Sequence, residues 1–338
     1  MILVTGATGL VGSHLLAKLL LSNTQVRAIY RTEKKRLAVK KIIAYYSDAS
    51  EVLFDKIDWI QADINDITQL SKAFEQINIV YHCAAVISFD ESFGKHLRKV
   101  NIEGTANIVN LCLSNRIKKL CYTSSIATLG LSDNNEPITE ETHWNPEAQN
   151  NIYAITKYGA ELEVWRASQE GLNTVIVNPG VILGSGFWDE GSGQLVKHIA
   201  SGFKYYTMGS VGYVDVEDVV QAMIKLVEGG IINERFILVS ENKSFKEVFS
   251  MMATSLGVKP PSVLATNWML GLAWRFDKLT HFLFRKKRGF FKASAISATQ
   301  ELDYSNQKIK KALGFEFTPL DKTIKKVTRY YLAEASQQ

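Results

Sequence analysis

Short apolar runs alternate with stretches of helical period along the first 180 positions. Residues 1–5 (MILVT) are continuous and apolar, 11–21 carries Leu and Val at helical spacing, and 25–30 is again strand-like. Further short runs at 59–62, 79–83, 119–123, 174–178 and 236–239 predict strands. Several of the intervening helices have start signals. Asp66-Ile-Thr-Gln69 has the spacing of a capping box, in which side chain and backbone donors at a helix start satisfy each other. Residues 101–115 read as helix up to a basic patch before the next strand. Strands alternating with helices in this way predict a parallel sheet covered on both faces.

The pattern changes after 178. Pro179-Gly180 and the glycine-serine run at 184–193 are loop chemistry. Ser244-Phe-Lys-Glu247 is a second capping box, opening a helix expected to stop at Gly257. Thr318-Pro-Leu-Asp321 opens the last helix, with Pro319 at a tolerated first-turn position. The expectation is an α/β domain over 1–178, with a return segment near 210–240, and a smaller, mainly helical portion over 179–338.

Composition narrows the class. The 338 residues are 46% hydrophobic and 22% charged, near the globular average, which excludes disordered and collagen-like chains. Lys and Arg number 39 against 34 Asp and Glu, a net charge of +5 that reads as a mild excess spread along the chain. A nucleic-acid binder would concentrate its basic residues, so no nucleic-acid partner is expected. Cys83, Cys112 and Cys121 are odd in number and lack metal-like spacing, so neither a disulfide framework nor a metal site is expected. A glycine turn breaks the N-terminal apolar run, which argues against a signal peptide, and no uncharged apolar stretch has the length of a spanning helix. A cytoplasmic location is the expectation.

Thr5-Gly-Ala-Thr-Gly-Leu-Val-Gly12 carries the strongest local signal. Its glycines sit where a strand turns into a helix: Gly6 for the tight turn, Gly9 for close approach of a pyrophosphate, Gly12 for a helix lying near the sheet. The N–H groups and positive dipole end of that helix suit phosphate, so a dinucleotide site is favoured over a purely structural turn. The second strand ends Ala28-Ile-Tyr-Arg31, followed by Lys34, Lys35 and Arg36. No carboxylate stands there to bond a ribose hydroxyl, and the planar fork of Arg31 suits a 2′-phosphate. NADP(H) is therefore expected in preference to NAD(H), which stays open. Asp63 is placed for the adenine edge. Tyr153 and Lys157 lie four apart on one helix face, where an ammonium would lower the phenol's pKa toward neutrality. Thr123-Ser124-Ser125 ends a strand, where parallel sheets open their ligand crevice.

With these motifs in this order, the chain resembles the extended short-chain dehydrogenase/reductase family, the NAD-dependent epimerase/dehydratase superfamily. The matching segments are TGATGLVG, QADI around Asp63, HCAA at 82–85, VNIEGTANI from Val100, YTSSIATLG from Tyr122, YAITK from Tyr153 and NPGVILG from Asn178. GYVDVEDVV from Gly212 and KALGFEFTPL from Lys311 extend the likeness more loosely. The resemblance implies a Rossmann-type doubly wound sheet with a C-terminal substrate domain. It implies a catalytic set of Ser125, Tyr153 and Lys157 assisted by Asn101; Ser125 rather than Ser124 has the family spacing to Gly130. It implies cofactor contacts from Gly6, Thr8, Gly9, Leu10, Val11, Gly12, Arg31, Asp63, Ile64, Ala84, Ala85, Tyr153, Lys157, Pro179 and Val181. Substrate contacts would come from Val86, Ser124, Ser125, Tyr153 and Phe187, with Trp188, Tyr205, Tyr206 and Tyr213 as further aromatic lining. A homodimer is left open by the same analogy. His82 and Cys83 read as structural.

The flavour of the motifs is similar to dihydroflavonol 4-reductase-like and 3β-hydroxysteroid dehydrogenase-like members. Hydride transfer between NADP(H) and a small-molecule ketone, aldehyde or secondary alcohol is the implied reaction. A nucleotide-sugar epimerase or dehydratase retaining NAD is the alternative, disfavoured by Arg31 and by Ile126 and Ala127 where a dehydratase carries acids. A non-catalytic cofactor-binding module is a third. Residues 268–291 stand apart: large apolar residues interleaved with Arg275, Asp277 and Lys278, then Arg285-Lys-Lys-Arg288. Packing on its own domain, a substrate lid, an oligomer surface and peripheral contact with an anionic membrane all fit that pattern.

Overall fold

The computed structural model describes residues 1–132, 136–284 and 291–336, so the basic run Arg285–Arg288 lies outside the described residues. The strands are β1 (Ile2–Thr5), β2 (Val26–Tyr30), β3 (Asp58–Gln61), β4 (Ile79–His82), β5 (Lys119–Thr123) and β6 (Thr174–Pro179), then β7 (Val181–Leu183), β8 (Tyr205–Tyr206), β9 (Ser210–Asp215), β10 (Glu234–Leu238), β11 (Glu241–Ser244) and β12 (Val263–Leu264). Seven of them form one sheet in the order β10-β6-β5-β4-β1-β2-β3, and every neighbouring pair is parallel. The chain travels outward from β1 through β2 to β3, then returns to lay β4 on the other side of β1. The strand order reverses there, and a crevice opens at the carboxyl ends of β1 and β4.

Both sheet faces are covered, which is why these strands read as continuous apolar runs rather than alternating ones. Successive side chains still go to opposite faces. Val4 of β1 joins the cluster containing Leu15, Leu16 and Leu19 of helix Leu10–Leu21 and Val220, Met223 and Leu226 of helix Val216–Glu228. Its neighbour Leu3 joins the opposite cluster, with Val109 and Cys112 of helix Gly104–Ser114 and Ala160, Val164 and Ala167 of helix Ile152–Gln169. Buried Lys119, at the start of β5, donates from Nζ to the carbonyls of Leu226 and Val227 (2.7 and 2.9 Å), closing the last turn of a helix that precedes β10.

Local signals fix several helix ends. Ser244 and Glu247 form the full reciprocal box, with Ser244 N–H donating to Glu247 Oε2 (2.9 Å) and Glu247 N–H to Ser244 Oγ (3.2 Å), and Gly257 closes the helix in the left-handed conformation. At Asp66 only half the box forms. The Asp66 carboxylate takes Gln69 N–H (3.0 Å), but Asp66 N–H is engaged by Asp63 O (2.9 Å), and the Gln69 side chain takes Asp63 N–H instead. The helix expected from 101 is preceded by a π-type stretch, Arg98–Glu103, before the α-helix Gly104–Ser114.

The portion beyond 178 is mainly helical but also carries short strands in small sheets. β7 pairs parallel with β9, β9 pairs antiparallel with β11, and β12 pairs with β8. β7 is three residues long and follows Pro179-Gly180, too short to leave a period in the sequence. Among the described residues no helix is long and apolar enough to cross a membrane.

A Cβ at Gly12 would stand 2.2 Å from the carbonyl oxygen of Gly6, a backbone atom that cannot swing aside. Gly12→Ala should therefore lower stability by at least about 1–3 kcal/mol, the usual cost of overpacking. Urea unfolding monitored by circular dichroism reads this; an unchanged midpoint would show that the turn relaxes freely.

Candidate active site

The β1 turn is pressed against the end of β4. Gly6 has φ +65°, and a Cβ there would lie 2.5 Å from Ala84 N. Gly12 allows the first helical turn to close onto that same turn, so its close contact is with Gly6 and not with the sheet. Gly9 is the N-cap of the twelve-residue helix, with no side-chain cap and no acid in the first turn. The amides of Leu10, Val11 and Gly12 precede the first intrahelical bond, from Ser13 N–H to Gly9 O (3.0 Å). The nearest atom a Gly9 Cβ would meet is 3.4 Å away. Backbone donors at a helix start, approachable over Gly9 and flanked by Thr8, Ala84 and Ala85, fit a dinucleotide pyrophosphate.

At the end of β2, Arg31 is exposed. Two of its basic neighbours are engaged elsewhere: Arg36 pairs with Glu33 (2.5 Å) and Lys35 with Glu190 (2.9 Å). One oxygen of Asp63 closes a turn with Asn65 (2.9 Å), while Ile64 is buried against Gly104. Pro179 is buried at the end of β6 beside Leu238, and Val181 starts β7 half-buried.

Asn151 caps helix Ile152–Gln169, accepting from Ala154 N–H (2.9 Å). Tyr153, Lys157 and Glu161 then fall on one face, four residues apart. Lys157 is buried and donates from Nζ to Tyr122 OH (2.7 Å) and Thr123 O (2.8 Å). Burial brings its pKa down to about 7, with Glu161 acting in the opposite direction. Tyr153 does not show the lowered pKa expected from its lysine partner. Desolvation pushes it above the ordinary value, and the bond with the Ser125 hydroxyl opposes that rise.

Ser125 closes the short turn Ile126–Thr128, its hydroxyl accepting from Ala127 N–H (3.1 Å). Ser124, read as a substrate contact, faces the interior instead: it is buried and its hydroxyl donates to Glu161 Oε2 (2.5 Å). Asn101 brackets Val86, accepting from its N–H (2.8 Å) and donating to its carbonyl (3.0 Å), and also donates to Thr156 Oγ1 (3.1 Å). Val86 is thereby held to the helix that carries Tyr153 and Lys157. His82 is buried between Thr5 (2.6 Å) and Thr105 (3.0 Å), and burial drives its pKa down to about 3.

Glu161 was not singled out from the sequence. It is buried, and its Oε2 accepts from Ser124, Thr128 (2.8 Å) and Asn178 Nδ2 (2.9 Å). Its Oε1 accepts from Trp165 Nε1 (3.3 Å) and Arg235 Nη1 (3.1 Å). An acid one turn beyond Lys157 on the same face was the available signal. Phe89 was also missed, although its ring packs edgewise on Tyr153 at 5.9 Å.

The expected aromatic lining is partly elsewhere. Tyr213, on β9, is fully buried in the core. Trp188 packs on Tyr331 and donates to Glu334 (2.6 Å), fastening the loop after β7 to the last helix. Phe187, in that loop, is half-buried, and Gly186 before it lies against Ile42 and Tyr45.

Residues 2–237 match the NAD dependent epimerase/dehydratase family, and the chain belongs to it. It is an extended short-chain dehydrogenase/reductase enzyme, NAD(P)-dependent. It is 28% identical over 320 residues to the "Putative dihydroflavonol 4-reductase" of Synechocystis sp., covering 92% of this chain and 88% of that one. It is 23% identical over 336 residues to cinnamoyl-CoA reductase 1 of Oryza sativa subsp. japonica, covering 96% and 88%. The crystal structure of gox2253 superposes with a TM-score of 0.80 at 27% identity, covering 99% of this chain and 98% of that one.

Two outcomes are expected. Glu161→Ala strands several buried donors and Arg235, and should cost about 3–5 kcal/mol of stability, while Glu161→Gln should cost less; equal losses would show that shape rather than charge matters. For Lys157, the folded pKa of about 7 lies below the ordinary 10.5. Between those values the unfolded state binds more protons, so this group makes stability rise with pH across that window. Urea titrations at several pH values should show the rise in the native protein and not in Lys157→Met; identical slopes would place the ammonium's pKa near its ordinary value.

Proposed function

We propose that this protein is an NADP(H)-dependent oxidoreductase that moves a hydride between the nicotinamide and a ketone, aldehyde or secondary alcohol, with Tyr153 as the acid/base. The observation that carries this reading is that the Ser125 hydroxyl, just beyond the carboxyl end of β5, lies close enough to the Tyr153 phenol to oppose the rise in its pKa. That pairing places two O–H groups side by side, as polarising and protonating a single carbonyl oxygen requires. When bound, the reduced nicotinamide supplies the hydride.

Ser125 hydrogen-bonds the substrate oxygen and orients it toward Tyr153. Tyr153 delivers its proton to that oxygen in the reductive direction and takes it back in the oxidative one. Lys157 contributes an ammonium fixed by Tyr122 OH and Thr123 O, a positive charge that favours the phenolate once Tyr153 has given up its proton. Asn101 keeps the Val86 backbone and the Tyr153 helix in register. Preference for NADP(H) rests on Arg31, exposed at the end of β2 where no carboxylate stands. The reductases among the relatives agree with this direction of chemistry.

The test is to denature purified protein, identify any released nucleotide, and titrate emptied protein with NADPH and NADH. Preference for readily exchanged NADPH is expected, with Arg31→Glu weakening NADPH binding about tenfold, the loss of one strong charge-assisted contact. Tightly retained NAD would instead support an epimerase or dehydratase. Tyr153→Phe should bind NADPH normally and lose about 100-fold or more in turnover; near-normal turnover would remove Tyr153 from the acid/base role.

A further inference from the structure

The net positive charge of this protein is not spread along its chain. Residues 267–292 hold seven Lys and Arg and one Asp, leaving 32 Lys and Arg against 33 Asp and Glu elsewhere. The rest of the molecule is close to neutral, and a single segment carries the excess.

The same segment contains a helix whose apolar face is turned outward. In helix Asn267–Phe284, Trp268 is 67% exposed, Leu272 56%, Phe276 67% and Leu279 50%, whereas Leu270 is buried. At 3.6 residues per turn those four fall within an arc of about 80°. Arg275 and Lys278, both exposed, lie along one edge of the arc. Arg275 is laid over the Trp274 ring (4.7 Å) and donates to Gly271 O (2.9 Å). β12, just before the helix, and its partner β8 leave Val263, Leu264 and Tyr205 exposed as well. Helix Val216–Glu228 does the opposite, burying Val219, Val220, Met223 and Leu226.

We propose that helix Asn267–Phe284 is a docking element for an anionic lipid bilayer. Trp268, Leu272, Phe276 and Leu279 enter the interfacial layer, and Arg275 and Lys278 meet the lipid headgroups. Two other occupants fit less well. In a two-fold dimer this face would meet its own copy and set Arg275 and Lys278 against the same cations of that copy. A lid closing on substrate would turn its apolar face inward and its polar face to water. The proposal is independent of the reaction assigned above.

The experiment is flotation of the full chain with vesicles of phosphatidylcholine alone or with about 30% phosphatidylserine, at low and high salt. Binding to the anionic vesicles is expected, weakened about tenfold or more by high salt and by Arg275→Glu/Lys278→Glu. Trp268→Ser/Phe276→Ser, at exposed positions, should lower partitioning about tenfold while leaving the thermal midpoint and NADPH titration unchanged. Absence of binding to anionic vesicles overturns the proposal, as does binding that the Ser variants do not affect. A concentration-dependent dimer that the Ser variants dissociate, without vesicle binding, would assign the face to a second copy and equally overturn it.

Discussion

A single buried carboxylate ties the reactive region together. Glu161 projects from the helix that carries Tyr153 and Lys157, and receives hydrogen bonds from the end of β5, the turn that follows it, β6 and β10. Its two oxygens divide the work: Oε2 gathers the Ser124–Thr128 turn and Asn178, and Oε1 holds Arg235 and the indole of Trp165. A charge in this position is tolerable because each oxygen has several donors and because Arg235 supplies an opposite charge. The Ser125 hydroxyl therefore sits on a turn anchored from behind, which fixes its place relative to Tyr153.

Around that anchor the helix works as a ruler. At four-residue spacing Tyr153 packs on Phe89, Lys157 lies against Tyr122, and Glu161 reaches the far strands. Burial raises the Tyr153 pKa and brings that of Lys157 toward neutrality. The lysine's ammonium is held by a phenol and a backbone carbonyl from β5, both neutral acceptors.

The opposite end of the chain follows another logic. The sheet, its two helical layers and the small strands β7, β9 and β11 pack most of their apolar residues into the core, with exposed ones such as Leu21, Ile67 and Leu162 scattered singly. Helix Asn267–Phe284 does not, and it lies in the segment that carries the molecule's positive charge. An apolar face directed to solvent beside concentrated cations distinguishes this helix from those that build the core.

Local chemistry made much of this legible in the sequence. The strand–glycine turn–helix unit, the order of strands and helices, the Ser244 box and the Tyr153–Lys157 face depend on short spacings, which the chain carries wherever it folds. The family resemblance supplied the roles assigned to Ser125 and Asn101. What only the tertiary structure decided involves partners remote along the chain. It turned Ser124 inward to Glu161, gave Lys157 to Tyr122 rather than to Tyr153, buried Tyr213, and sent Trp188 to the last helix. It also set β7 beside β9 and faced Trp268 and Phe276 outward. Periodicity shows that a helix has two faces; the direction each one points is fixed by what packs against it.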